Sequence, residues 1–251
     1  MNRAYWMEIR CEFLKQSRMR TYVLSTLLFP LAFYAVFGIA MGWQRQPGMA
    51  SFSRDLMGSY GAFGVIGASL FGFGVGVAVE RGLGWLEVKR ASPMPWPAYL
   101  LAKTVTCMAF AGILLVLLFA LAFTAGGVRL QPGQWALLWL VLVLGSAPFC
   151  AMGLAIGSLA GPNSAAPITN LIYLPMGLCS GLWLPISILP KSMQSIAPLL
   201  PAYHLGRIAA AVLERSSQGL AGHAKALVGF GLLCAGIAWI AQSREDAKMF
   251  G

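Results

Sequence analysis

Glu80-Arg81-Gly82-Leu83-Gly84-Trp85-Leu86-Glu87-Val88-Lys89-Arg90-Ala91-Ser92-Pro93-Met94-Pro95-Trp96-Pro97-Ala98-Tyr99-Leu100-Leu101-Ala102-Lys103 is the densest island of charge in this chain, and long apolar runs flank it on both sides. Six of its residues are charged (Glu80, Arg81, Glu87, Lys89, Arg90, Lys103), with Leu83, Trp85, Leu86 and Val88 among them. That pattern suits a short amphipathic helix at a membrane surface. Pro93, Pro95 and Pro97 lack the N–H a helix needs and restrict the residue before them, so the helix should end near Ala91. The bland alternative is an ordinary solvated loop.

Composition extends this reading to the whole chain. Of 251 residues, 58% are hydrophobic and 10% charged, against about 25% charged in a soluble domain. A bilayer core of ~30 Å requires about 20 apolar residues of a helix. Six such runs can be drawn: 22–43, 56–79, 104–125, 135–159, 165–184 and 224–241. Between Leu130 and Pro190 there is no Asp, Glu, Lys or Arg. The expected fold is all-α and polytopic, a single transmembrane domain over residues 1–251.

The connections carry their own signals. Residues 1–21 place Trp6, Ile9, Phe13 and Leu14 on one side of a helical wheel and Glu8, Glu12, Lys15 and Arg18 on the other, as in an interfacial helix with a snorkelling basic edge. A signal peptide is the competing reading, but the apolar run is too long and has no small-x-small cleavage site. Pro30 should kink span one, Trp43 should anchor it at an interface, and Gln44 to Asp55 should return the chain. Ala68, Gly72 and Gly76 in span two, and Gly153, Gly157 and Gly161 in span four, form small-residue ridges that let helix backbones approach in lipid. Gly126–Gln134 and Gly161–Ser164 read as turns. Pro185, Pro190, Pro198 and Pro201 cut 185–223 into pieces too short to span, which suits short outer or re-entrant helices. Lysines and arginines number eleven on the segments placed inside when the N-terminus is inside, and seven on the others, so both termini are expected in the cytoplasm.

Several chemistries are excluded. The net charge of +10 forms no basic stripe with interleaved aromatics, so attraction to lipid headgroups explains it better than nucleic acid. The five cysteines are scattered, with no metal spacing, and read as small buried hydrophobes. His204 and His223 have no acidic or cysteine partner at ligand spacing, so no metal site is assigned. No Gly-x-x-x-x-Gly-Lys-Ser/Thr sequence occurs, and so no phosphate cradle. As drawn, the six runs hold no charged residue, which argues against an ion-coupled carrier. No catalytic constellation and no cofactor are expected on this chain. A pathway without its own engine implies an engine elsewhere.

The order of an amphipathic N-terminal helix, six spans, Glu80-Arg81-Gly82, Leu86–Ala91 before Ser92-Pro93, and Ser180-Gly181-Leu182-Trp183-Leu184-Pro185 leading through Leu189-Pro190 to Leu200-Pro201 and Tyr203-His204 resembles the membrane subunit of type-2 ABC exporters. The resemblance covers essentially the whole chain. It implies that Glu80–Ala91 is a coupling helix entering a cleft of a separate ATPase subunit, with Glu80, Arg81, Gly84, Glu87 and Arg90 as contact candidates. It further implies that residues 4–20 form a connecting helix at the inner surface and that residues 185–213 form short helices capping the exit. Two membrane subunits would pair above two ATPase subunits that hold ATP and magnesium. This sequence departs from the family in having Leu83-Gly84-Trp85 after Gly82, where a threonine is often found.

The sequence therefore reads as an exporter subunit of the inner membrane for a hydrophobic or amphipathic substrate. Phe71, Phe73, Ser180 and Trp183 are candidate pathway linings, with core or lipid-facing packing as the competing role. A membrane-embedded scaffold that recruits a partner, and a stand-alone channel, remain the alternatives.

Overall fold

A computed structural model of the chain describes residues 2–40, 49–92, 95–216 and 218–250. Among them every regular element is helical. Helix α1 (Asn2–Arg18) leads into α2 (Arg20–Phe33), which continues as a π-helical stretch, Tyr34–Ala40. Helix α3 (Met49–Ser69), a π-helical turn (Leu70–Val75) and α4 (Gly76–Gly82) form one long rod; α5 (Trp85–Ala91) is short; α6 (Trp96–Thr124) is long again. Helices α7 (Pro132–Gly145) and α8 (Ala147–Leu159) meet at Ser146, and α9 (Ala165–Cys179) follows the turn at Gly161. Helices α10 (Lys191–Ile196), α11 (Pro201–Glu214) and α12 (Leu220–Phe250) complete the chain. Trp43, Gln44 to Gly48, Pro93 and Met94, on which the sequence also bears, lie outside the described residues.

Among the described residues, five helical stretches are long and apolar enough to cross a membrane: Tyr22–Ala40, Phe52–Gly82, Trp96–Thr124, Pro132–Leu159 and Leu220–Ser243. The fifth run drawn from the sequence, 165–184, falls short as a helix. Helix α9 stops at Cys179 after 15 residues, about 22 Å of rise, because Gly181 adopts a left-handed φ of 74°. The Leu182 N–H then returns to the Gly177 carbonyl at 3.1 Å and the Gly181 N–H to that of Leu178 at 3.1 Å. This is a glycine-terminated C-cap that satisfies the orphan carbonyls, and Leu182 packs into the core behind it. A sixth crossing by length exists only if the bent pair Lys191–Leu199 and Pro201–Glu214, which meet at 89°, counts as one. Pro201 forces the break: Leu200 before it is extended, with φ −92° and ψ 132°.

The Phe52–Gly82 rod is the axis of the bundle. Of its most apolar window 78% is buried inside the chain, against 17% for Leu220–Ser243, which lies at the periphery along α8. Gly74 in the π-helical turn makes the closest approach. A Cβ there would stand 2.9 Å from the Gly153 carbonyl oxygen, and one on Gly157 would stand 2.5 Å from that of Gly74. The ridge Gly153–Gly157 thus meets its partner backbone to backbone, as small residues permit in lipid. Gly161 belongs instead to the turn, whose Pro162 packs on Gly82.

Gly157→Val should therefore destabilise the bundle by about 1–3 kcal/mol, the usual range for overpacking, and lower the melting temperature in detergent. Gly133→Ala, where an added Cβ meets nothing within 4 Å, should leave it unchanged. Equal melting temperatures for Gly157→Val and the parent would contradict this packing.

Candidate functional site

The charge island folds around a buried ammonium group. Lys103, one turn after Tyr99 on α6, is 1% exposed. Its Nζ donates to Glu12 Oε1 at 2.7 Å and to Glu80 Oε1 at 2.9 Å. The Tyr99 hydroxyl donates to Glu80 Oε2 at 2.6 Å. Lys15 donates to Glu12 Oε2 at 2.7 Å and also to Glu80. Lys89 of α5 donates to Glu8 at 2.6 Å and lies 4.4 Å from the centre of the Tyr99 ring.

Three carboxylates and three ammonium groups from α1, α4, α5 and α6 thus balance one another. Glu8, Glu12 and Lys15 can all reach in because spacings of four and three residues line one helix face. Gly76 leaves room for the ammonium, since a Cβ there would stand 3.3 Å from Lys103 Nζ. Burying charge is expensive, and an ion pair offsets that expense only when fully partnered; removing one member leaves a buried charge and typically costs ~3–5 kcal/mol.

The helices Phe52–Gly82 and Trp96–Thr124 run past the limits drawn from the sequence, so Glu80, Arg81 and Lys103 lie within helices long enough to span. The expectation of charge-free spans is corrected accordingly. Mutual pairing at the helix ends is what lets the helices continue. The acids of the polar face of α1, Glu8 and Glu12, turn into the protein, with Glu12 2% exposed, while Arg18 and also Trp6, Met7 and Leu14 are exposed.

The charge island is also two helices and not one. Gly84, with φ 74° and nothing near its missing Cβ, breaks α4 from α5. Glu80 and Arg81 therefore belong to the axial rod, and both look inward. Arg81 donates to the Ala160 carbonyl at 2.6 Å and to that of Ser158, satisfying the C-terminal end of α8. Leu83, in the turn before the break, is exposed; beyond the break α5 turns Leu86 and Lys89 inward and leaves Trp85, Glu87 and Val88 exposed, and the side chain of Arg90 lies outside those described. The structure thus brings Glu80 and Lys89 into one cluster and sets Glu87 apart from them on the surface.

A cavity of about 580 Å³ opens between Leu24, Phe29 and Pro30 of α2, Gly64, Gly67 and Phe71 of the axial rod, and Asn170, Tyr173 and Leu174 of α9. Phe71 meets the Tyr173 ring edge-on at 5.7 Å. Phe73, two residues on, is 2% exposed and packs instead with Val77, Leu86, Tyr99, Cys107 and Cys150. Trp183 packs its ring 5.5 Å from Phe33 and 5.6 Å from Phe63. Its Nε1 and the Ser180 hydroxyl are buried with no hydrogen-bond partner among the described residues. At the opposite end from the ion cluster, His204 and His223 come together, a pairing with no signature in their spacing.

The ion cluster itself left a trace in the sequence: Glu80 ends one apolar run and Lys103 begins the next, each without a compensating charge inside its run. Lys103→Met should lower stability by about 3 kcal/mol, at the lower end for a broken buried pair because Lys15 still contacts both acids. Pairing it with Glu12→Gln should cost less than the two single changes together, read as melting temperatures in detergent. Strict additivity would mean that the two groups do not interact.

Comparison with known proteins places this arrangement. A family model described as "ABC-2 type transporter" matches residues 3–213, from α1 through α11. The chain is also 30% identical over 189 residues to "Putative transport permease YvfS" of Bacillus subtilis (strain 168), spanning 75% of this chain and 77% of that protein. With a helical, multi-pass architecture and the family match over most of its length, the chain belongs to the ABC-2 type transporter family as a transmembrane transport permease.

Proposed function

We propose that this chain is the membrane subunit of an ATP-driven exporter, and that α5 is its contact with a separate ATPase subunit. One observation carries the reading. Helix α5 exposes Trp85 (55%) and Val88 (61%) on either side of Glu87, with Leu83 (69%) exposed in the turn that leads into it, at the end of the molecule where charge is concentrated. Three neighbouring apolar side chains in such surroundings mark a protein-binding surface, and a tryptophan is the side chain most often found at its energetic centre. The helix is anchored from behind by Leu86 and by Lys89, which pairs with Glu8 and stands 3.9 Å from Glu12, so a force on Trp85 reaches Lys103 and Glu80 by way of α1. Glu87 and Arg90 are proposed as rim contacts. Glu80 and Arg81 act at second hand, by fixing α5 to the axial rod, and Gly84 supplies the turn.

The rest of the arrangement follows from this contact. ATP and magnesium would be held by the partner, as no phosphate cradle occurs here. Both termini lie in the cytoplasm, α1 rests at the inner surface with Trp6 and Leu14 toward lipid, and α10 and α11 dip in from outside. The cell's inner membrane is the proposed location. The apolar lining of the cavity beside Phe71 and Tyr173 suits a hydrophobic or amphipathic cargo, drug-like, lipid-like or peptide. A second permease, the same chain or another, would close the open side of that cavity, with Ser180 and Trp183 toward its outer end.

Co-expression with a candidate ATPase subunit and purification in mild detergent tests the contact. Trp85→Ala should reduce the co-purifying ATPase by more than about tenfold, since truncating such an anchor costs ~2 kcal/mol or more. The permease level in the membrane should be unchanged, and Glu87→Lys should act in the same direction. Full retention of a stoichiometric ATPase by both variants would remove α5 from the mechanism. If no ATPase associates with the parent chain, the scaffold or channel readings take its place. For topology, a cysteine at position 87 should label only from inside and one at 191 only from outside; the reverse pattern would invert the orientation.

A further inference from the structure

At the end of the bundle opposite the ion cluster, the start of α11 and the start of α12 bring two imidazoles into contact. His204 Nδ1 and His223 Nδ1 lie 2.8 Å apart, with ring centres 5.1 Å apart and planes inclined by 46°. Tyr203 flanks both rings, at 5.6 and 5.9 Å. Both histidines are half-buried, and so open to solvent on one side. Nineteen residues separate them in sequence. The turn that joins them uses two left-handed positions, Arg215 with φ 55° and Gly219 with φ 73°. A non-glycine residue rarely takes such a conformation, so this backbone is held in place by its surroundings.

We propose that His204 and His223 form a binding site for a divalent transition-metal ion of the copper or nickel type, which clamps the bent outer helix α11 to the last membrane helix. The reasoning is geometric. Imidazole nitrogen binds these ions at ~2.0–2.1 Å, and copper(II) and nickel(II) prefer ligands at right angles, which places two neighbouring nitrogens ~2.9 Å apart. The observed separation meets that requirement without either helix moving. Each ring has only to swing about its side-chain bonds until its lone pair points off the line joining the two nitrogens. The proton that lies between the two Nδ1 atoms moves through solvent to Nε2 of its own ring, so that both neutral imidazoles present an Nδ1 lone pair to the ion and no net proton is released.

Among the described residues no third histidine, cysteine or carboxylate joins the pair. Water completes the shell, and the site is open and exchangeable. Arg207, one turn beyond His204, adds positive charge nearby. That favours an ion bound through covalent character with nitrogen over a purely electrostatic calcium or magnesium. Helix α11 lies directly against the axial rod through Ala209 and Leu213, which meet Gly58. A clamp at His204 therefore restrains the element nearest the outer end of that rod. The site does not depend on the transport reading, and its test is independent of any ATPase.

Titration of the purified full chain, without a polyhistidine tag, using nickel(II) or copper(II) salt alone is the direct experiment. Calorimetry should find one saturable site per chain, and copper(II) should give an electron paramagnetic resonance signal with nitrogen coupling. His204→Gln and His223→Gln should each abolish that site, while Tyr203→Phe keeps it. The metal should raise the melting temperature of the parent and leave that of His223→Gln unmoved. Absence of saturable binding in the parent would overturn the proposal, as would binding that survives both histidine substitutions.

Discussion

The Lys103 ammonium group is the constraint on which the charged end of the molecule depends. It sits in a helix otherwise built for lipid, and it is tolerable there only because Glu12 and Glu80 arrive from two other helices. That requirement sets the position of α1 against α6 and of both against the end of the axial rod. It also carries Lys89, and with it α5, into place over the Tyr99 ring. A neutral interior of the same volume could be as stable. What the ions add is directionality: hydrophobic packing between lipid-exposed helices is tolerant of sliding, whereas these pairs fix one register.

Position along the bundle then divides the labour. At the charged end, α5 presents an apolar surface on a rigid mount. In the middle, Gly74 against Gly153 and Gly157 brings backbones into contact beside a π-helical turn, a local distortion of the kind that often accompanies a site of movement. On the proposed reading, force applied at Trp85 would travel along the axial rod through this turn toward the cavity at Phe71. At the far end the chain is broken by Pro201 and bent through 89°, so it covers the bundle without adding another full crossing.

Much of this was legible in the sequence because the physical signals were strong and local. Apolar runs of bilayer length marked four spans within a few residues, Ser92 and the prolines after it marked the end of α5, and Gly153 and Gly157 marked a close contact. What escaped was non-local or depended on a single glycine. Gly181 ends α9 early through a left-handed cap inside an apolar run that hydropathy alone extends to Leu184. Gly84 splits the charge island in two, which moved Glu80 and Arg81 from a surface helix to the interior. The polar face of α1 looked like a water-facing edge because its partners lie 65 and 91 residues away, and periodicity within one helix carries no information about them. Phe71 and Phe73 could not be told apart by type; the helix turns one toward the cavity and the other into the core.

The central claim is that α5 is where another protein takes hold. A photo-crosslinking amino acid placed at Val88 in the intact membrane, with one at Leu171 on the exposed side of α9 for comparison, tests it most directly. The account predicts that position 88 captures an ATPase subunit and position 171 does not. Capture only of lipid, or of a second copy of this chain, from position 88 would contradict it.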